Sequence, residues 1–217
     1  MRLNNNWSSD SILKHIEESR SKYSQLYKGE KFLISKFIKH NDSILDIGCG
    51  QGGLFKILDK KYKNIKYTGI DFNKNMIEIA KSENLKAKFY YLTKKNYVKF
   101  FKKKFDVVVI FGILHLNPNW RNIILNASRV SKRALIFDHR IEFKKNKKKF
   151  FYLDLDFKNK NKKFRIDYYL VKKNYLENFI SLKLKRYSLK KFYYNGYASK
   201  FSNIRNEITF ANIGLYK

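Results

Sequence analysis

Ser43-Ile44-Leu45-Asp46-Ile47-Gly48-Cys49-Gly50-Gln51-Gly52-Gly53-Leu54-Phe55 is the stretch whose reading decides the fold. A short apolar run ends in a glycine-dense turn, and apolar residues at helical spacing follow it: Leu54, Phe55, Ile57 and Leu58. This order predicts strand, tight turn and helix. Without Cβ atoms the glycines reach positive φ and let a ligand approach the backbone. The amides opening the next helix then face whatever is bound. The turn reads as a cofactor cradle.

Two cofactor classes use such a turn. Gly48, Gly50 and Gly53 satisfy the dinucleotide spacing, and Gly48, Gly50 and Gly52 satisfy G-x-G-x-G. Asp46 separates them, because a carboxylate just ahead of the turn would repel a pyrophosphate but favours the cationic sulfonium and ammonium of S-adenosylmethionine (SAM).

Leu45-Asp46-Ile47-Gly48-Cys49-Gly50-Gln51-Gly52 resembles motif I of the class I SAM-dependent methyltransferases. Tyr67-Thr68-Gly69-Ile70-Asp71 resembles their second motif, and Phe105 to His115 is similar to their fourth strand and the loop after it. The resemblance implies a doubly wound α/β fold. Its Rossmann-like sheet has seven mostly parallel strands, an antiparallel C-terminal strand and helices on both faces. One methyltransferase domain over 1–217 is expected, with N-terminal helices over 1–40 and the SAM-binding core over 41–140. A basic insertion and helix over 141–180 and a strand hairpin over 181–217 complete it. The implied cofactor is SAM, leaving as S-adenosylhomocysteine (SAH). The implied cofactor residues are Asp46, Gly48, Cys49, Gly50, Gly52, Asp71, Phe72, Met76, Leu92, Thr93, Phe111 and Gly112.

Composition sets the bounds. The 217 residues are ample for a buried core, and 44% hydrophobic content argues against a disordered chain. No apolar run is long enough for a bilayer span, and the polar start Met1-Arg2-Leu3-Asn4-Asn5-Asn6 lacks a signal-peptide core, so a cytoplasmic location is expected. One cysteine and four scattered histidines show no metal-ligand spacing. The net charge of +30 has two readings. Phosphate contacts would make it a nucleic-acid footprint. However, only 9 of the 48 basic residues are Arg, the side chain suited to phosphates and base edges. Enrichment in Lys, Asn, Ile, Phe and Tyr points to AT-rich codons.

Along the chain, apolar spacing from Ser11 to His40 predicts two helices broken at Gly29, with Trp7 and Tyr23 as lid or core residues. Asp71 falls 25 residues after Asp46, at the end of the run from Ile65, where a carboxylate can accept from both ribose hydroxyls. The competing reading is a helix N-cap. Phe72 and Met76 would flank the adenine, or Met76 would pack its helix. Lys88 to Thr93 predicts a third strand. Many family members place an acidic residue near there, where this chain has Thr93-Lys94-Lys95. Asp106 to Phe111 predicts a central parallel strand, with Gly112 beside the methionine moiety and His115 at the cleft mouth. Pro118 and Trp120 open a helix over Arg121 to Val130. Ala134 to Phe137 predicts the fifth strand, with Asp138-His139-Arg140 just beyond it at the acceptor pocket.

Phe143 to Lys163 is rich in lysine and aromatics: either a polyanion grip or a hairpin whose Phe151, Leu153, Leu155 and Phe157 turn inward. Asp167 to Ile180 predicts a helix. Leu182 to Tyr194 and Glu207 to Tyr216 predict strands joined by a loop over Asn195 to Asn206. Tyr193-Tyr194-Asn195-Gly196-Tyr197 resembles methyltransferases encoded among surface-glycan biosynthesis genes.

Methyl transfer from a sulfonium requires a nucleophile held in line and water kept out. A protonated acceptor gains from a base titrating near neutrality, for which His115, His139 and Asp138 are the candidates. The expected function is methylation of an O or N atom of a small molecule or a sugar or glycan precursor. The alternatives are an RNA methyltransferase and a non-catalytic SAM-binding subunit.

Overall fold

The structure is a computed structural model that describes residues 20–93, 100, 102–142, 151–154, 165–198 and 202–217. In chain order the described elements begin with α1 (Lys28–Phe37), β1 (Ser43–Ile47), α2 (Gly53–Lys61), β2 (Lys66–Asp71), α3 (Lys74–Glu83), β3 (Lys88–Tyr91) and β4 (Phe105–Ile110). They continue with α4 (Trp120–Val130), β5 (Ser131–Glu142), β6 (Tyr152–Asp154), β7 (Arg165–Asp167), β8 (Val171–Lys172), α5 (Lys173–Lys183), β9 (Ser188–Tyr197) and β10 (Glu207–Tyr216). The sheet order is β3-β2-β1-β4-β5-β10-β9, parallel as far as β5, with β10 antiparallel to both its neighbours. The order reverses between β1 and β4, so the cleft opens beyond the carboxyl ends of these strands.

Period-two alternation splits each central strand between two cores. Leu45, Ile47, Val108, Ile110, Leu135 and Phe137 pack with Trp120 and Ile124 of α4 and Leu176 and Ile180 of α5. Ile44, Val107, Val109, Ala134 and Ile136 face Leu33, Ile34 and Phe37 of α1 and Leu54 and Leu58 of α2. A third cluster, including Met76, Ile166, Tyr168, Ile204, Ile208 and Phe210, caps the carboxyl end near β10.

Several expectations are corrected. Gly29 does not break a helix. It lies in the first turn of α1 and permits close approach to β10, since a Cβ there would fall 2.0 Å from the Asn212 side chain. At the other end of α1, Phe37 fills the space over Gly214. The fifth strand runs on to Glu142, placing Asp138, His139 and Arg140 inside it. The helix predicted from Asp167 starts at Lys173, because Arg165–Asp167 pairs with Tyr152–Asp154 and Val171–Lys172 pairs with β5. Asn195 to Tyr197 belong to β9 rather than the loop. Tyr23 is not core: it is 37% exposed with the Lys61 ammonium 4.3 Å from its ring centre. Trp7 and most of the basic insertion lie outside the described residues.

Gly→Ala inside a helix ordinarily stabilises by roughly 0.5–1 kcal/mol. Gly29→Ala should do the reverse, lowering stability by about 1–3 kcal/mol through overpacking against buried Asn212. Urea unfolding should show this loss, and a second change, Asn212→Gly, should restore part of it.

Candidate active site

The glycine turn is built as a cradle. Gly48, Gly50 and Gly52 have φ of 82°, 54° and 80°, left-handed values that glycine adopts without strain. The Gly48 and Cys49 amides donate to the Ile70 carbonyl at 2.8 and 3.2 Å, fixing the turn to the end of β2. A Cβ on Gly48 would meet Ile113 at 2.7 Å, and one on Gly53 would meet the Arg20 carbonyl at 2.3 Å. The segment at Arg20 therefore passes directly over the start of α2.

Asp71 closes the cradle. Its carboxylate accepts from the Gly50 amide at 3.0 Å and the Asn73 amide at 2.8 Å. It is not the N-cap of α3; Asn73 is, accepting from the Met76 amide at 3.1 Å. Each Asp71 oxygen keeps a further lone pair, which suits a pair of ribose hydroxyls. Asp46 is buried and accepts from the Tyr67 hydroxyl. Burial pushes its carboxyl up to about 7, opposed by the Tyr67 hydrogen bond and by Arg20. Cys49 is buried, and burial raises its thiol well above the usual range. These residues fit a phosphate-free cationic nucleoside.

The remaining positions divide. Leu92 is buried in the core, its amide donating to the Asp71 carbonyl at 2.7 Å, and Thr93 follows it half-buried. Phe72 packs beside the α4 core. Met76 joins the third cluster with Tyr168 and Phe210. Phe111 is buried, and Gly112 turns at φ 75° with its amide donating to Asp138 at 2.6 Å. Asp138 also pairs with Arg140, and these contacts together with Arg20 outweigh desolvation and hold its carboxyl below the usual range.

His139 stands on the opposite face of β5 from Asp138 and Arg140, edge-on to Trp120 at 5.1 Å. Burial lowers it to about 4. His115 lies buried in the short turn Leu114–Leu116, its ring 4.7 Å from that of Tyr168. Burial, with Arg140 and His139 nearby, holds it well below the ordinary histidine value. Asp138-His139-Arg140 is thus not one constellation but two faces of a strand.

The structure adds residues the sequence does not mark. Arg20 reaches within 3.1 Å of where a Gly112 Cβ would lie, and it pairs with Glu30. Glu30 is 1% exposed and also accepts from the Tyr27 amide at 2.9 Å; burial raises its carboxyl despite Arg20. Tyr27, Tyr168, Tyr194 and Phe210 surround Arg140. The nearest signal is Glu30 three residues after Tyr27, which marks a helix start rather than a site. Among the described residues no group of three or more His, Cys, Asp or Glu could hold a metal ion, and no helix is long and apolar enough to cross a membrane.

The family described as a methyltransferase domain matches residues 38–175. The chain belongs to this family, the class I Rossmann-like methyltransferases whose methyl donor is SAM. It is 31% identical over 133 residues to an uncharacterised protein of Methanocaldococcus jannaschii, covering 58% of this chain and 49% of that protein. It is 32% identical over 102 residues to a tRNA (guanine-N(7)-)-methyltransferase of Clostridium botulinum, covering 41% of this chain and 42% of that one. The chain thus spans under half the length of these curated relatives. In fold it is similar to a SAM-dependent methyltransferase of Clostridium acetobutylicum, with a TM-score of 0.57, 17% identity, and coverage of 94% of this chain and 98% of that one.

A carboxyl raised to about 7 is protonated in the free protein below that pH, and the cofactor's positive charge favours its ionised form. SAM binding should therefore release a proton near neutrality and tighten with rising pH, by on the order of fivefold from about pH 6 to 7.5. Calorimetry in buffers of different ionisation enthalpy measures both effects, and Asp46→Asn should abolish the proton release.

Proposed function

We propose that this chain transfers the methyl group of SAM to an O or N atom of a small molecule or a sugar or glycan precursor. The observation that carries the reading is the pairing of the Gly50 amide with Asp71 in a turn of positive-φ glycines, with the Gly112 turn held by Asp138 beside it. When bound, SAM supplies an electrophilic methyl on a sulfonium. Asp71 holds the ribose hydroxyls, Asp46 favours the cationic part, and Arg20, poised at Gly112, receives the amino-acid carboxylate. Asp138 fixes the loop along which that part lies. The third cluster with Tyr168 keeps water from the reacting atoms.

Burial holds His115 well below the ordinary histidine value and His139 at about 4, which argues against the base role foreseen for either. His115 becomes a packing residue of the acceptor wall against Tyr168, and His139 supports Trp120 on the far face.

Calorimetry with SAH tests the reading. Asp71→Ala should weaken SAH binding on the order of a hundredfold by removing two charge-assisted hydrogen bonds. Gly50→Val should abolish binding through a backbone conformation that valine does not adopt. Circular dichroism should show both variants folded. Unchanged SAH affinity in Asp71→Ala would sink the assignment.

A second reading, methylation of tRNA, draws on the +30 charge and the tRNA-modifying relative. It requires binding to bulk tRNA that falls steeply with salt and supports methyl incorporation.

A further inference from the structure

The two edges of the sheet differ in what they expose. Register carries one row across it, from Ser188 of β9 through Tyr216, Ala134, Val107 and Ile44 to Tyr67 of β2, and Lys88 of β3 pairs with the next residue, Thr68. The starts of β1 to β5 and of β9 therefore lie on one edge, beside the end of β10, and the cofactor cradle lies on the other. Lys39, Lys63, Lys88, Lys104, Arg186 and Lys217 are all exposed at this amino edge. Lys104, Arg186 and Lys217 converge on the end of α4, donating to the carbonyls of Arg129, Ser128 and Ser131. Burial, together with the nearby Arg186 and Lys104, lowers the Lys217 ammonium from its ordinary value.

The carboxylates described near this edge do not cancel these cations. Asp42, Asp59, Glu83 and Asp106 each have a cation of their own, in Arg133, Lys86, Lys56 and Lys132. Apolar side chains stand among the charges. Leu85 is 90% exposed in the turn between α3 and β3, and Leu182 is 63% exposed in the last turn of α5, ahead of β9. A single exposed leucine is ordinary on a protein surface. These two stand beside the outermost strands, β3 and β9, at opposite ends of one edge, and each has lysines next to it: Lys86 and Lys88 for Leu85, Lys183 and Lys185 for Leu182.

We propose that the amino edge of the sheet docks on an anionic lipid bilayer, with Leu85 and Leu182 entering the headgroup layer and the lysines spread over it, so that the cofactor cleft faces away from the membrane. The inference goes beyond the methyltransferase reading and does not depend on it. Negatively charged headgroups attract lysines at the surface, and the long lysine stem carries its charge from an apolar contact into the polar layer. The lysines alone would serve a phosphate backbone equally well. A nucleic-acid surface, however, draws on guanidinium forks and exposed stacking rings, whereas the most exposed apolar groups at this edge are leucines. Such a contact penetrates only the headgroup boundary and needs no spanning helix.

Cosedimentation with lipid vesicles tests this. The protein should bind vesicles containing about a third phosphatidylglycerol, ignore vesicles of phosphatidylcholine alone, and be released as salt is raised. The double variant Leu85→Gln, Leu182→Gln should bind the anionic vesicles on the order of tenfold more weakly. Its melting temperature and SAH affinity should be unchanged, because neither side chain is buried and both lie on the edge away from the cradle. Tyr197→Ser, which removes a 68% exposed ring from the opposite end of β9, should leave vesicle binding as it was. If anionic vesicles are not bound, if the leucine variant binds them as tightly as the native chain, or if Tyr197→Ser weakens binding as much as the leucine changes do, the membrane surface is overturned. Binding to bulk tRNA with no binding to vesicles would overturn it too and assign the edge to nucleic acid. SAH binding is read separately, so its loss in the native chain would count against the methyltransferase reading and not against this one.

Discussion

The site depends on one buried carboxylate. Asp138 accepts from the Gly112 amide and pairs with Arg140, joining the loop after β4 to the middle of β5. Burying an ion pair gains little by itself, but removing one partner leaves an uncompensated charge, which typically costs about 3–5 kcal/mol. The contact is therefore better understood as a specifier of geometry than as a source of stability. It fixes the left-handed turn at Gly112, directs the Arg140 guanidinium over Phe210, and leaves Arg20 beside Glu30 at the edge of the cofactor cradle.

The second requirement is steric. Glu30 reaches Arg20 and Tyr27 reaches Arg140 because α1 lies close to β10, which demands the absence of a side chain at both Gly29 and Gly214. The stacking of Phe32 on Phe192 extends the same contact to β9. The last of the described strands thus positions the first of the described helices. The cluster of Arg20, Glu30, Asp138 and Arg140 is assembled by this packing rather than by any local motif.

That explains which parts of the site were legible in the sequence. The cradle was visible because positive φ demands glycine and because the carboxylates of Asp46 and Asp71 fall at strand ends, where spacing reveals them. The mostly parallel sheet with an antiparallel C-terminal strand followed from the family resemblance those motifs carry. Asp138-His139-Arg140 misled because three consecutive polar residues resemble the end of a strand. Here β5 continues because ion pairing satisfies Asp138 and Arg140 under α1, while His139 packs on Trp120. Gly29 misled for a related reason: local propensity reads it as a breaker, and only the position of Asn212 gives it a packing role. Arg20 carries no signal and Glu30 only that of a helix start, since nothing local brings them to Gly112.

The +30 charge belongs to a different level of the structure. No lysine is among the buried residues described, and the buried cation is Arg140, already balanced by Asp138. Among the described residues the excess charge therefore lies on the surface, where it acts at long range and weakens with salt. Surface lysines would raise the local concentration of any anion, polymer or metabolite alike, without distinguishing between them.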